Sequence, residues 1–192
     1  MPSRDVVLDI ETQNTFQEVG KYDPSLLKVS LLVTYDFATG EFRSFLENEL
    51  HLLWPLLEHA DRLIGYNIDG FDVPVLDTYY PGDLKKLPTL DIMTEIEKKI
   101  GFRVKLDDVA QATLGTGKSG NGLMAIEYFR RGEIDKLRDY CTQDVKVTRD
   151  VYLHGLEKGE VAYNDRLGRR VSVSVDFSHR ETRSTVNLTM PF

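Results

Sequence analysis

The run Val6-Val7-Leu8-Asp9-Ile10-Glu11 constrains this chain more than any other stretch. Three consecutive apolar residues followed by Asp-Ile-Glu read as a central strand with both faces buried. A carboxylate inside such a strand costs several kcal/mol unless it is paired or bound to a cation. Residues two apart on a strand point to the same side, so Asp9 and Glu11 share a face. Either the strand emerges into solvent at this point, or the fold gathers something around the two acids that neutralises them.

Spacing alone does not decide between these readings. Asp and Glu account for 31 of 192 residues, and Glu47-x-Glu49, Glu95-x-Glu97 and Glu133-x-Asp135 repeat the pattern. Those three fall at helix starts or on polar helix faces, where carboxylates cost little. Asp9 is set apart by its apolar neighbours.

The rest of the chain reads as alternating strands and helices. Val29–Tyr35 and Glu41–Leu46 predict a hairpin closed by Ala38-Thr39-Gly40. Leu50, Leu53, Trp54 and Leu57 recur at helical spacing. Arg62–Tyr66 predicts a fourth strand and Val73–Tyr80 a short helix ended by Pro81-Gly82. Helices are expected over Ile92–Ile100, Leu106–Leu114, Leu123–Arg131 and from Glu133 to about Leu156, with a glycine-rich loop over 115–122. A last strand carries Val171, Val173, Val175 and Phe177 on one face. This order predicts an α/β fold, a mixed sheet with a β-hairpin and helices on both faces. One domain over residues 1–178 and a polar tail over 179–192 are expected, without internal repeats.

Composition sets limits. A single cysteine, Cys141, excludes an internal disulfide and fits a reducing, cytoplasmic compartment. It falls on the apolar face of the long helix and reads as a small buried residue rather than a nucleophile. No segment has the length and apolarity of a membrane span, and no membrane partner is expected. The net charge of −7 argues against wrapping long duplex nucleic acid. Its distribution is uneven: residues 1–80 hold 5 basic and 14 acidic side chains, residues 81–192 hold 19 and 17. Bound divalent cations would offset part of the acidic half.

Two further motifs extend the first. Gly65-Tyr66-Asn67-Ile68-Asp69-Gly70-Phe71-Asp72 follows a strand, where sites commonly form in α/β folds. Asp72 there is either a metal ligand or a helix cap. Tyr140 and Asp144, four apart on the long helix, share one face beside Leu137, Cys141 and Thr148. As an isolated pair they read more readily as core and solvated edge. Tyr79-x-x-x-Asp83 has the same spacing, but Pro81-Gly82 interrupts it.

In this order the three motifs resemble the DEDD exonuclease superfamily, with its ribonuclease-H-like fold. Tyr140-x-x-x-Asp144 matches the tyrosine-containing (DEDDy) branch, since the sister branch has a histidine where this chain has Asp139. Gly65-Tyr66-Asn67-x-x-x-Phe71-Asp72-x-Pro74 and Tyr140-Cys141 leading to Asp144 are similar to the proofreading domain of B-family DNA polymerases. The resemblance covers about residues 5–153. It implies a 3′–5′ exonuclease acting on single-stranded or 3′ ends, DNA before RNA, with no polymerase module in this chain. It also implies two divalent cations, Mg²⁺ or Mn²⁺, held by Asp9, Glu11, Asp72 and Asp144, with Tyr140 orienting the attacking water. Phe16, Tyr66 and Phe71 are expected to stack on terminal bases or pack in the core, Asn67 to hydrogen-bond substrate, and Lys118 and Asn121 to contact phosphates. The resemblance leaves protein partners open.

Two rivals come from other classes. Ala112-x-x-x-x-Gly117-Lys118-Ser119 fits a loosened phosphate loop, which must follow a strand and open a helix. A catalytically silent ribonuclease-H-like interaction module is the other, opposed by the intact set of acids. The four histidines, at 51, 59, 154 and 179, lack ligand spacing.

Overall fold

The structure is a computed structural model and describes residues 4–116 and 122–178. Five strands, β1 (Asp5–Thr12), β2 (Val29–Asp36), β3 (Glu41–Leu46), β4 (Arg62–Gly65) and β5 (Thr89–Asp91), form one mixed sheet in the order β3-β2-β1-β4-β5. β1 lies at its centre. It runs antiparallel to β2, with Asp9 opposite Val33, and parallel to β4, with Val7 opposite Ile64. The predicted hairpin is β2 and β3.

Alternation along β1 divides the protein into two cores. Val6, Leu8 and Ile10 face one side, packed with Leu32, Leu63 and side chains of the short helices α2 (Trp54–Glu58) and α3 (Asp72–Leu76). A single turn, α1 (Phe16–Val19), edges that core. Val7 faces the other side with Leu31, Val33 and Ile64. There they meet α4 (Ile92–Ile100), α5 (Leu106–Leu114), α6 (Gly122–Arg130) and the long α7 (Ile134–Lys158). The stripe expected on α7 from Ile134 onward is buried at Leu137, Cys141, Val145, Thr148, Val151 and Tyr152, while Ile134 itself is only half-buried. Helices therefore cover both faces, as expected.

The structure moves several boundaries and decides the pairing of the C-terminal strand. The segment expected to be one helix around Leu50–Leu57 is a 3₁₀ turn over Glu47–Leu52 followed by α2, because Pro55 lacks the N–H that a continuous helix needs. β4 ends at Gly65, one residue early. The helix expected over 73–80 is α3 alone, five residues long. The C-terminal strand does not join the main sheet. It is β7 (Arg170–Ser174), paired antiparallel with β6 (Glu160–Asn164) as a separate hairpin that packs on α5 and α7. Val175 and Phe177 lie past its end, still buried.

One buried ion pair ties β1 to β4 behind the site. Arg62 donates to the Asp5 carboxylate at 3.0 Å and to the Tyr152 hydroxyl at 2.9 Å, and Tyr152 donates to Asp5 at 3.0 Å. No helix among the described residues is long and apolar enough to cross a membrane.

Candidate metal centre

Val7, Asp9 and Glu11 point to the α7 side of the sheet, as a strand period of two requires. α7 crosses that side and presents Asp144. One ligand oxygen from each of Asp9, Glu11 and Asp144 lies within 4.8 Å of the others. Two elements separated by more than a hundred residues thus bring three carboxylates together: Glu11 is 9% exposed, Asp144 4%, and Asp9 is half-buried.

Asp72 approaches along the edge of β1 that β4 leaves unpaired, and lines the same cavity. β4 pairs with β1 only along Asp5–Val7, so the rest of β1 continues past its parallel neighbour. That frees the Ile10 N–H, which donates to Asp72 Oδ1 at 3.1 Å. Asp72 is 3% exposed and is the first residue of α3, not its cap. Burial, and next the charge of Asp9, push its carboxyl well above the ordinary value of 3.8, while the Ile10 hydrogen bond opposes them. Asp72 is therefore electrostatically coupled to the cluster that Asp9 shares with Glu11 and Asp144.

The loop that delivers Asp72 is clamped from beneath by Asp91, a residue that sequence reasoning missed. Its carboxylate accepts hydrogen bonds from the backbone N–H of Asn67 at 2.9 Å, Asp69 at 3.3 Å and Thr94 at 3.2 Å. Asn67 adopts a left-handed backbone, φ 65°, at the tight exit from β4. Gly65 belongs to the same turn: a Cβ there would stand 2.7 Å from that of Ile68. The available signal was Asp91 immediately before the periodic run at Ile92, a helix-capping position. Its reach back to Asn67 depends on β5 lying beside β4, which a three-residue strand does not announce.

Asp9, Glu11, Asp72 and Asp144 open into a cavity of about 450 Å³. Phe16, Tyr66, Asn67 and Phe71 also line it. Phe16 stands edge-on to Phe71 at 6.1 Å and against Tyr22 at 4.2 Å, so a row of aromatic rings runs outward from the cavity. Tyr66 is held by its hydroxyl, which donates to the Val104 carbonyl at 2.7 Å. Tyr140 is placed differently. It stands one turn before Asp144 on α7, 7% exposed within the core, and is not part of the cavity lining. Lys118 and Asn121 lie outside the described residues. Cys141 is fully buried, its Sγ 3.4 Å from the Asp9 carbonyl. Burial and the surrounding acids push its thiol pKa up, so it stays protonated and unreactive.

The phosphate-loop pattern finds no support in its surroundings. The residues leading into it form α5, ended by Gly115 in a left-handed cap, where a phosphate loop needs a strand.

A mixed five-stranded sheet, helices on both faces and acids at the end of the central strand define a ribonuclease-H-like domain. The chain belongs to the RNase H superfamily, whose model matches residues 6–155. Membership supports a nuclease-type function and contact with nucleic acid. Among solved structures, the chain is similar to the family B DNA polymerase from the hyperthermophilic archaeon Pyrobaculum calidifontis, with a TM-score of 0.58 and 22% identity. The match covers 82% of this chain and 24% of that one, so the chain spans about a quarter of the polymerase and shares its fold there. No curated protein matches.

Proposed function

We propose that the chain is a metal-dependent 3′–5′ exonuclease of the tyrosine-containing DEDD type, releasing 5′-mononucleotides from single-stranded ends of DNA in preference to RNA. The observation that carries this reading is the meeting of Asp9, Glu11 and Asp144 within 4.8 Å, in an RNase H-superfamily fold, with Asp72 lining the same cavity.

The donor set fits divalent cations. Burial and a neighbouring carboxylate push Asp72 up, the condition that a bound cation relieves. Oxygen-only ligands suit Mg²⁺ or Mn²⁺. Asp9, Glu11 and Asp144 would hold one ion, and Asp9 with Asp72 a second. Such a pair supplies an activated water and stabilises charge on the leaving oxygen.

The chain's own side chains do the rest. Water attacks the phosphorus of the terminal phosphodiester and gives up a proton to solvent, the P–O3′ bond breaks, and the leaving 3′ oxygen takes up a proton from solvent. Tyr140 orients the attacking water with its hydroxyl. A phenol is a poor base at neutral pH, so orientation is its main role. Phe16, Tyr66 and Phe71 offer faces to the terminal bases, and Asn67 offers both a donor and an acceptor.

The test is a gel of DNA and RNA oligonucleotides labelled at either end, incubated with Mg²⁺, Mn²⁺ or EDTA. The expected result is stepwise shortening from the 3′ end, more rapid on DNA, dependent on metal, with labelled 5′-mononucleotide released at once from a 3′-labelled strand. Internal cuts, or no shortening with either metal, would overturn the reading. Metal-induced stabilisation without hydrolysis would leave a silent interaction module.

A further inference from the structure

A second cavity, of about 670 Å³, lies beside the acidic one. Its walls are the link between α4 and α5 and the turn of the β6–β7 hairpin. The two cavities share a wall: Tyr66 lines the first, and its hydroxyl bonds to the carbonyl of Val104, which lines the second.

The second cavity has the opposite charge. Arg103, Lys105, Arg166 and Arg169 line it against Asp108 and Asp165, an excess of two positive charges in a chain whose net charge is −7. Arg103 is engaged with Glu97 and Arg169 with Asp165. Lys105 and Arg166 are exposed, and among the described residues neither is within ion-pair distance of an acid. The walls between these cations are aromatic and aliphatic. Phe102 is 49% exposed and meets Tyr163 edge-on at 5.7 Å, and Leu167 is 75% exposed at the hairpin turn. Exposed cations around accessible ring faces are what a single strand uses, with phosphates on the cations and unpaired bases on the rings. A duplex keeps its base faces stacked inside and cannot use the rings.

We infer that this cleft binds single-stranded nucleic acid on the 5′ side of the terminal nucleotide, with phosphates at Lys105 and Arg166 and bases against Phe102 and Tyr163. The direction of the strand rests on the exonuclease reading; the affinity does not. A strand whose end enters the acidic cavity past Tyr66 reaches the second cavity over the Tyr66–Val104 wall. The cations there lie outside the metal centre and touch none of its ligands, so they raise affinity without entering the chemistry.

The experiment measures binding and hydrolysis separately on the full chain. Fluorescence anisotropy with labelled oligothymidylates of about four and about sixteen nucleotides, in EDTA, reads affinity without turnover. The longer strand is expected to bind wild type more tightly. K105E/R166E should weaken it about tenfold and reduce the salt slope by about 0.7 for each phosphate no longer neutralised. F102A should weaken it comparably with the slope unchanged, because stacking releases no counterions. Matching far-ultraviolet circular dichroism and melting temperatures establish that the variants fold. Equal binding of the longer strand by wild type and K105E/R166E would overturn the inference, as would displacement of the strand by duplex as effectively as by unlabelled single strand. Length-dependent binding abolished in K105E/R166E, in a protein that cuts nothing, would uphold the cleft and refute the exonuclease reading alone.

Discussion

Asp72 Oδ1 accepts a hydrogen bond from the Ile10 backbone N–H at 3.1 Å, joining residues 62 positions apart. A carboxylate on one helix is thereby tied to the main chain between the two acids of the central strand. The tie exists because β4 stops pairing with β1 at Val7 and leaves that N–H available. It also sets Asp72 near Asp9, whose charge, after burial, pushes the Asp72 carboxyl up.

Removing the Asp72 charge should be visible in stability. Asp72 has a raised pKa in the folded chain, so its contribution is fully present below the ordinary carboxylate value and is lost as pH rises through the folded value. Without metal, D72N should therefore melt above wild type by a margin that grows from about pH 4 toward neutrality. Mn²⁺ should raise the wild-type melting temperature and act far less on D72N. Scanning calorimetry at several pH values checks both; a margin that shrinks with rising pH would contradict the assignment.

D9A and D144A are each expected to lower 3′ hydrolysis by roughly a thousandfold or more while leaving the fold intact. The rate on an end-labelled strand, beside a melting curve in EDTA, measures the two effects independently. Substantial hydrolysis by either purified variant would exclude its carboxylate from the chemistry.

Y140F should reduce turnover by about a hundredfold, the lower end for a group that positions rather than transfers a proton. The Mn²⁺-induced shift in melting temperature should be unchanged, since the phenol binds no cation. An unaltered turnover would assign Tyr140 to packing alone.

The Asp91 clamp predicts an effect on substrate geometry. D91A leaves three backbone N–H groups, of Asn67, Asp69 and Thr94, without their acceptor. A loss of about 2–3 kcal/mol in unfolding free energy is expected, with D91N intermediate. Hydrolysis by the folded fraction should fall mainly through KM, because Asn67 and Phe71 ride on the released loop. Denaturant titration together with steady-state kinetics tests this.

At Gly155, α7 passes close to the segment after β7. A Cβ at this position would run into the Phe177 ring, itself 1% exposed, and stand 3.3 Å from Val161 Cγ1. G155A should destabilise by about 2–3 kcal/mol, and adding F177L should recover part of that loss. Equilibrium unfolding of the single and double variants measures the coupling.

Much of this architecture was legible where periodicity runs long. The apolar run of β1, the alternation in β2 and β3, and the stripe of α7 all predicted the observed elements, and α4 and α5 begin and end where the pattern does. Asp9 was legible because its apolar neighbours set it apart, whereas Asp72 and Asp144 became candidates only through the order of the three motifs. What failed is short or depends on contacts distant in sequence. β5 has three residues, and β6 follows α7 after Gly159 with no longer loop to separate them. Whether β7 paired with the main sheet or with β6 was undetermined locally, since the same alternation serves either partner. The burial of Tyr140 reflects packing beneath the cavity, which a four-residue spacing does not encode.

The division of the interior by the central strand has a consequence for how this protein can change over time. Asp144 is positioned through the packing of Val145 and Leu137 on one side, Asp72 through that of Val73, Val75 and Leu76 on the other. Substitutions in either layer can shift one acid while the opposite layer keeps its own in place. A lineage could thus adjust the spacing and the preference for one ion over another in small independent steps, without rebuilding the strand on which both layers rest.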